Sequence, residues 1–265
     1  MSPFPLRARI EAASRAGFVA VGLLDFDLHK FLAHSTLRDL RLILHDNGMT
    51  HTELEFLTRW WTTGEERRRS NEDRAFLFAA AEELEAHHIK VAADLNDLAP
   101  PDVDLWALEL HALGADAASH GTRVALELMP FSNVANLGTA LQIVRAADHP
   151  AAGLLLDIWH LERSGANPSD IADIPLALIH GVELDDGSAV SQGDPYDDTC
   201  LRRQLPGTGD FRVVEFAAAL LNLGWNLPWG IEMLNAEYRL LPLDQGLAGV
   251  VSHTQEVLAL AKATV

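Results

Sequence analysis

Four acidic residues close four consecutive hydrophobic runs in the C-terminal half of this 265-residue chain. Val124-Ala125-Leu126 leads into Glu127, Leu154-Leu155-Leu156 into Asp157, Gly181-Val182 into Glu183, and Trp229-Gly230-Ile231 into Glu232. The intervals between the acids are 30, 26 and 49 residues. The first two are about the length of one strand-plus-helix unit, and the third holds an extra polar segment, Asp186 to Asp210. Carboxylates at the same end of successive parallel strands converge and repel one another, and a divalent cation relieves that repulsion. All-oxygen ligation suits magnesium or manganese rather than a structural zinc. The pattern predicts a metal site at a barrel mouth, with Glu127, Asp157, Glu183 and Glu232 as ligands. A lone strand-end acid is more simply a helix cap or a solvated charge.

Several other residues would border such a site. His160, three positions after Asp157, would stand beside that carboxylate if a helix starts there, able to bond a substrate hydroxyl or shuttle a proton. Surface exposure at a helix start is the competing reading. His180 rivals Glu183 as a ligand, but alternation along a strand turns the two to opposite faces. Glu183 shares its face with Asp185, so His180 is expected to pack against a helix. Arg202 and Arg203 are candidates to reach into the mouth and hold an anionic or polyhydroxy substrate. Glu53, Glu55, Lys90 and Asp94 end earlier strands, and Lys90 and Glu55 are carried forward as substrate-binding candidates beside core-edge and salt-bridge roles. Leu205-Pro206-Gly207-Thr208-Gly209-Asp210 lacks the lysine and spacing of a phosphate loop, and reads as a tight turn with Asp210 capping the next helix. Trp60-Trp61 is either a lid or helix packing, and Glu65 to Arg69 a solvated helix face.

The elements that must position these residues alternate along the whole chain. Helices are expected at Leu6–Ala16, Leu37–His45, a long stretch through Glu65 and on over Phe76–His87, Leu105–Ala118, Leu137–Ala147, near Ile171, Phe211–Leu223 and Leu243–Ala261. Strands are expected at Phe18–Leu23, at a segment ending in Glu53-Leu54-Glu55, at Ile89–Ala93, before Glu127 and Asp157, at Leu178–Leu184 and before Glu232. Such alternation means a parallel sheet. Seven strands are found and the chain opens on a helix, so the expected fold is a (β/α)8 TIM barrel with an incomplete or atypical first strand. An open doubly wound sheet would spread the four acids apart. No Pro/Gly/Ser-rich linker interrupts residues 1–265, so a single domain is expected.

Composition agrees. At 48% hydrophobic the chain can build one large core, and ~250 residues is usual for one such barrel. A net charge of −18, from 20 basic and 38 acidic residues, argues against binding a phosphate backbone. No run approaches the roughly 20 apolar residues of a membrane helix, and the N-terminus shows no secretory signal core. The lone Cys200 excludes an internal disulfide and fits a reducing cytoplasm; it lies in the polar segment and reads as incidental.

Taken together, Val124-Ala-Leu-Glu-Leu-Met-Pro130, Gly153-Leu-Leu-Leu-Asp-Ile-Trp-His160, Glu183-Leu-Asp-Asp186, Leu205-Pro-Gly-Thr-Gly-Asp210 and Trp229-Gly-Ile-Glu-Met233 resemble the sugar phosphate isomerase/epimerase superfamily, the xylose-isomerase-like barrels. The resemblance spans most of the chain and is densest from Arg123 to Leu240. It implies one divalent metal, often manganese, with magnesium or cobalt as alternatives. Glu127, Asp157 and Glu232 match family ligands, the two glutamates also match its acid/base pair, and His160 matches a substrate contact. Glu183 stands where the family usually has a histidine. The expected activity is isomerisation or epimerisation of a sugar, keto-sugar or polyol by enediolate chemistry, with Glu127 and Glu232 moving the proton. Loss of a β-substituent from the same enediolate would give a dehydratase or a lyase. Two other readings are a non-catalytic subunit with a decayed site, docking through Asp186 to Asp210, and a zinc phosphodiesterase, which the acidic charge disfavours. A homo-oligomer is compatible with the resemblance, and no membrane or nucleic-acid partner is expected.

Overall fold

The structure, a computed structural model, describes residues 2–95 and 97–265. In chain order its elements are α1 (Leu6–Ala16), β1 (Ala20–Leu24), α2 (Asp25–Leu32), α3 (Leu37–Asp46), β2 (His51–Leu57), α4 (Gly64–Leu84), β3 (His88–Val91), α5 (Val103–Ser119) and β4 (Val124–Glu127). There follow α6 (Leu137–Ala147), β5 (Ala152–Asp157), α7 (Ile158–Arg163), α8 (Pro168–Ile171), β6 (Ile179–Leu184), α9 (Pro195–Leu201), α10 (Val213–Leu223), β7 (Gly230–Ile231) and α11 (Leu243–Lys262). Seven strands are present among the described residues and order as β1 through β7 in one sheet. The β1–β2, β2–β3, β3–β4, β4–β5 and β6–β7 pairs are all parallel. The helix α1 precedes β1. No helix of the described residues is long and apolar enough to cross a membrane.

The chain divides into two compact units. The first is Val19–Leu155 with Ala177–Gly181, and the second is the N-terminal stretch to Phe18 with Leu156–Leu176 and Val182–Val265. In the first unit β3 and β4 are buried at every residue, as strands of a parallel sheet covered on both faces are. Three of its helices start on side-chain caps: Thr36 and Asp39 form a capping box on α3, Asp102 caps α5 and Asn136 caps α6. Trp60 and Trp61 pack against Trp106 of α5, with ring centroids 4.8 and 4.3 Å away, and the Trp60 indole donates to the Ala92 carbonyl at 3.0 Å. Helix packing, not a lid, is their role. In the second unit α1 and α11 are joined by Arg15 and Asp244 at 2.8 Å.

Several boundaries depart from the sequence reading. The long charged helix stops at Leu84, because Glu85 takes a left-handed conformation (φ 54°), so His87 leads into β3 instead of ending α4. Strand β2 continues to Leu57, which puts Glu53 near its start rather than its end. β3 ends at Val91, leaving Asp94 beyond it, where its N–H donates to Asn133 Oδ1 at 2.9 Å. The polar segment after Asp186 contains a helix, α9, nucleated by Asp194 accepting from the Tyr196 N–H and by Pro195 at the first helical position. Asp210 does not cap α10; Arg212 occupies the cap position, and Asp210 accepts instead from the Ala189 N–H at 2.9 Å.

Candidate active site and metal centre

In the second unit, Asp157, Glu183 and Glu232 bring carboxylate oxygens within 4.8 Å of one another. Each is held by a different device. Asp157 ends β5 and starts α7, and its Oδ1 accepts the Trp159 N–H at 2.8 Å, so one oxygen serves as helix cap while Oδ2 is left for the site. Capping and site roles therefore coexist in one side chain. Glu183 is buried on β6 beside Gly230 of β7, with which it is in register. A side chain at 230 would lie 2.7 Å from the Val182 carbonyl and 3.0 Å from Glu183 Cγ, so the glycine makes the room Glu183 occupies. Glu232 follows β7 directly and keeps 21% of its side chain exposed, which gives the cluster its open side.

Arg203 gathers these acids. Its guanidinium is 1% exposed and lies 2.7 Å from Asp157 Oδ2 and 2.7 Å from Glu232 Oε2, with a further short contact to Asp185 Oδ2. Thr199 of α9 accepts the remaining bonds, at its hydroxyl (2.9 Å) and its carbonyl (3.2 Å). All five guanidinium donors thus have protein acceptors. Burial alone would lower the Arg203 pKa, but Asp157, Asp185 and Glu232 more than offset it and hold the group charged far above its ordinary range. Burial pushes the Asp185 carboxyl well up, against the pull of Arg203 and with the help of Asp157. The expectation that Arg203 holds a substrate meets a guanidinium whose donors are already taken by three acids and Thr199.

His160 is buried, with Nε2 3.6 Å from Asp157 Oδ2. Asp186 organises the glycine-rich turn: its carboxylate accepts from Gly187 at 2.8 Å and from Gly207 and Phe211 at 3.0 Å each. In the first unit, Lys90 is buried with Nζ 3.3 Å from Glu55 Oε2 and 3.8 Å from Glu127 Oε1, so the structure brings these three predicted residues together. His180 does not pack on a helix as expected. Its ring lies over Gly153 of β5, where a Cβ would come within 2.6 Å, and its Nδ1 bonds the Val124 carbonyl at 2.9 Å.

The residues that the sequence reading missed are Asp185 and Thr199. Asp185 follows from strand parity with Glu183, a signal that was present; Thr199 sits on α9, whose Asp194-Pro195 start was the overlooked cue. Cys200 is half-buried, and burial pushes its thiol up, away from thiolate chemistry.

Three acids (Asp157, Asp185 and Glu232) face one arginine here, a fourth, Glu183, lies beside Asp157 and Glu232, and Asp185 Oδ1 is buried without a hydrogen-bond partner among the described residues. The donor set is all oxygen and its charge excess is negative, so these residues fit a hard divalent cation.

Residues 10–257 match the xylose isomerase-like TIM barrel family. The chain belongs to that family. Over 245 residues it is 29% identical to a 3-dehydroshikimate dehydratase of Pseudomonas putida, a match covering 92% of this chain and 38% of that protein. It is 28% identical over 152 residues to an inosose isomerase of Halalkalibacterium halodurans, covering 57% of this chain and 53% of the relative. A solved xylose isomerase-like TIM barrel/4-hydroxyphenylpyruvate dioxygenase fusion protein superposes with a TM-score of 0.88 at 26% identity, over 97% of this chain and 41% of that one. The chain thus spans well under two thirds of the length of these relatives.

Proposed function

We propose that this chain is a divalent-metal enzyme that removes the proton beside the carbonyl of a small keto-polyol, and that the committed step is loss of a β-hydroxyl as water. The observation carrying the reading is the convergence of the Asp157, Glu183 and Glu232 carboxylates, with Arg203 bonded to Asp157 and Glu232. Glu127 joins them in this proposal as the acid that ends β4, the position where the xylose-isomerase-like resemblance gives a metal ligand. Manganese is the ion proposed, with magnesium or cobalt as substitutes, because every donor is oxygen. When bound, the ion would polarise the substrate carbonyl and acidify the neighbouring C–H.

The chain's own groups do the rest. Arg203 keeps the acids from dispersing and leaves Glu232, the most exposed of them, to accept the proton from carbon. Glu127, with Lys90 3.8 Å away, is the second acid/base group of the pair. Lys90 and Glu55 hold substrate hydroxyls. His160 Nε2 delivers a proton to the departing hydroxyl, so the C–O bond breaks with water as leaving group and a C=C bond forms. Dehydration is preferred to isomerisation because the dehydratase relative is matched over 92% of this chain. Isomerisation is the second reading, favoured by the inosose isomerase match; there the proton returns to the neighbouring carbon and no bond to oxygen breaks. The proposed substrate is a small molecule, and the proposed site of action is the cytoplasm.

The test is to measure metal content and then offer manganese-loaded protein 3-dehydroshikimate and an inosose in deuterated water. Dehydration appears as an aromatic product by ultraviolet absorbance, and isomerisation as a new ketose with solvent deuterium by NMR. Glu232→Gln should cut the rate by about 10²–10⁴-fold while the fold stays intact. Neither product nor deuterium exchange, with any of the three ions, would leave the scaffold reading in its place.

A further inference from the structure

The mechanism uses none of the histidines at the opposite ends of the strands in the first unit. His51 opens β2, and His87 and His88 lead into and open β3. One ring nitrogen from each of the three lies within 4.8 Å of the others. His87 Nδ1 and His88 Nδ1 are 3.2 Å apart. Two imidazole nitrogens bound to one tetrahedral zinc at ~2.0–2.1 Å stand about 3.3–3.4 Å apart, so this spacing already matches a shared ion.

The surroundings fit as well. His88 is buried, and its other nitrogen, Nε2, lies 3.2 Å from Glu53 Oε2, its register partner on β2. A carboxylate on the far nitrogen is the arrangement that fixes the ring and tautomer of a metal-bound histidine, and here it turns Nδ1 toward the other two imidazoles. Gly181 leaves the space for this ring, since a Cβ there would come within 3.0 Å of His88 Cε1 and Nε2. His51 and His87 are only half-buried, which provides an entry path and an open coordination position.

We propose that His51, His87 and His88 form a second metal site, built of nitrogen donors and selective for a borderline transition ion such as zinc, with Glu53 as the positioning carboxylate. Imidazole donors favour zinc, cobalt, nickel and copper, whereas the carboxylate cluster favours magnesium and manganese, so the two sites sort ions by donor type.

Titration of the purified chain with cobalt(II) alone tests this, because four-coordinate cobalt with nitrogen donors absorbs visible light far more strongly than six-coordinate cobalt among oxygens. The expected result is an intense visible band saturating at one equivalent. It should persist in an Asp157→Asn/Glu232→Gln variant, disappear in His87→Gln and in His51→Gln, and require 10–100-fold more cobalt in Glu53→Gln. Circular dichroism confirms the fold of each variant; His51→Gln decides if His87→Gln misfolds. No intense band in the parent chain, a band surviving both histidine substitutions, or a band lost with Asp157 and Glu232 would overturn the proposal. Turnover by the carboxylate cluster should be the same in His87→Gln, so failure here leaves the proposed reaction standing, and the reverse also holds.

Discussion

Two clusters of like side chains solve the same problem by different means. In the second unit, Asp157, Asp185 and Glu232 crowd together around one buried guanidinium, Arg203, with Glu183 beside Asp157 and Glu232. In the first, His51, His87 and His88 crowd together, and burial lowers the basicity of His87 and His51. A carboxylate deprived of water needs a cation beside it, while an imidazole can simply give up its proton. The comparison teaches that a shared cation marks the first kind of cluster and depressed basicity the second. Each kind presents lone pairs, hard oxygen in one case and borderline nitrogen in the other.

The sharpest way to break the contrast is to remove the cation. Arg203→Met should destabilise the metal-free protein by about 3–5 kcal/mol, the cost of leaving buried charges uncompensated. Added manganese should restore part of the loss. A urea midpoint measured with and without the ion checks both, and an unchanged midpoint would show that the acids do not depend on Arg203.

Next in size is the response to acid. Burial holds His180 down to about 4 in the folded chain, against the Val124 carbonyl that opposes the shift, while its ordinary value is 6.5. Between those values the unfolded chain binds the proton and the folded chain does not. Stability should therefore fall as pH drops from 6.5 toward about 4, by about 1.4 kcal/mol per pH unit. Denaturant titrations across that range should show a shallower acid limb for His180→Asn than for the parent chain.

The glycines that seat the two clusters should differ in a graded way. Gly230→Ala places a Cβ against the Val182 backbone and should cost about 1–3 kcal/mol while shifting Glu183. Gly181→Ala meets the edge of a side-chain ring at 3.0 Å and should cost less. Thermal unfolding of the pair ranks them, and the opposite order would refute the seating argument. Smallest is Asp194→Ala, which removes the cap of α9 and should cost about 1 kcal/mol. Because Thr199 on that helix braces Arg203, the same variant should weaken manganese binding in calorimetry.

Much of this was legible in the residues. Strand-helix alternation and the seven strands of the described residues follow from hydrophobic periodicity, since a parallel sheet buried on both faces leaves near-continuous apolar runs. The acids were visible because they end those runs. Missed were α9 and the true start of α10, where short caps, not periodicity, set the element. His51, His87 and His88 passed unnoticed because they come from two separate strand starts.

By itself, then, the sequence determined which residue types stand at the strand ends and which face of each strand they share, because side-chain alternation is a local property of the backbone. Only the tertiary structure decided where Arg203 goes. A guanidinium between Leu201 and Pro206 in sequence looks free for a ligand, and folding α9 and pairing the backbone of Arg203 with Leu234 carries it into the acids. That placement rests on long-range hydrogen bonds and on the high cost of burying carboxylates unpaired, neither of which has a signature in the order of the residues.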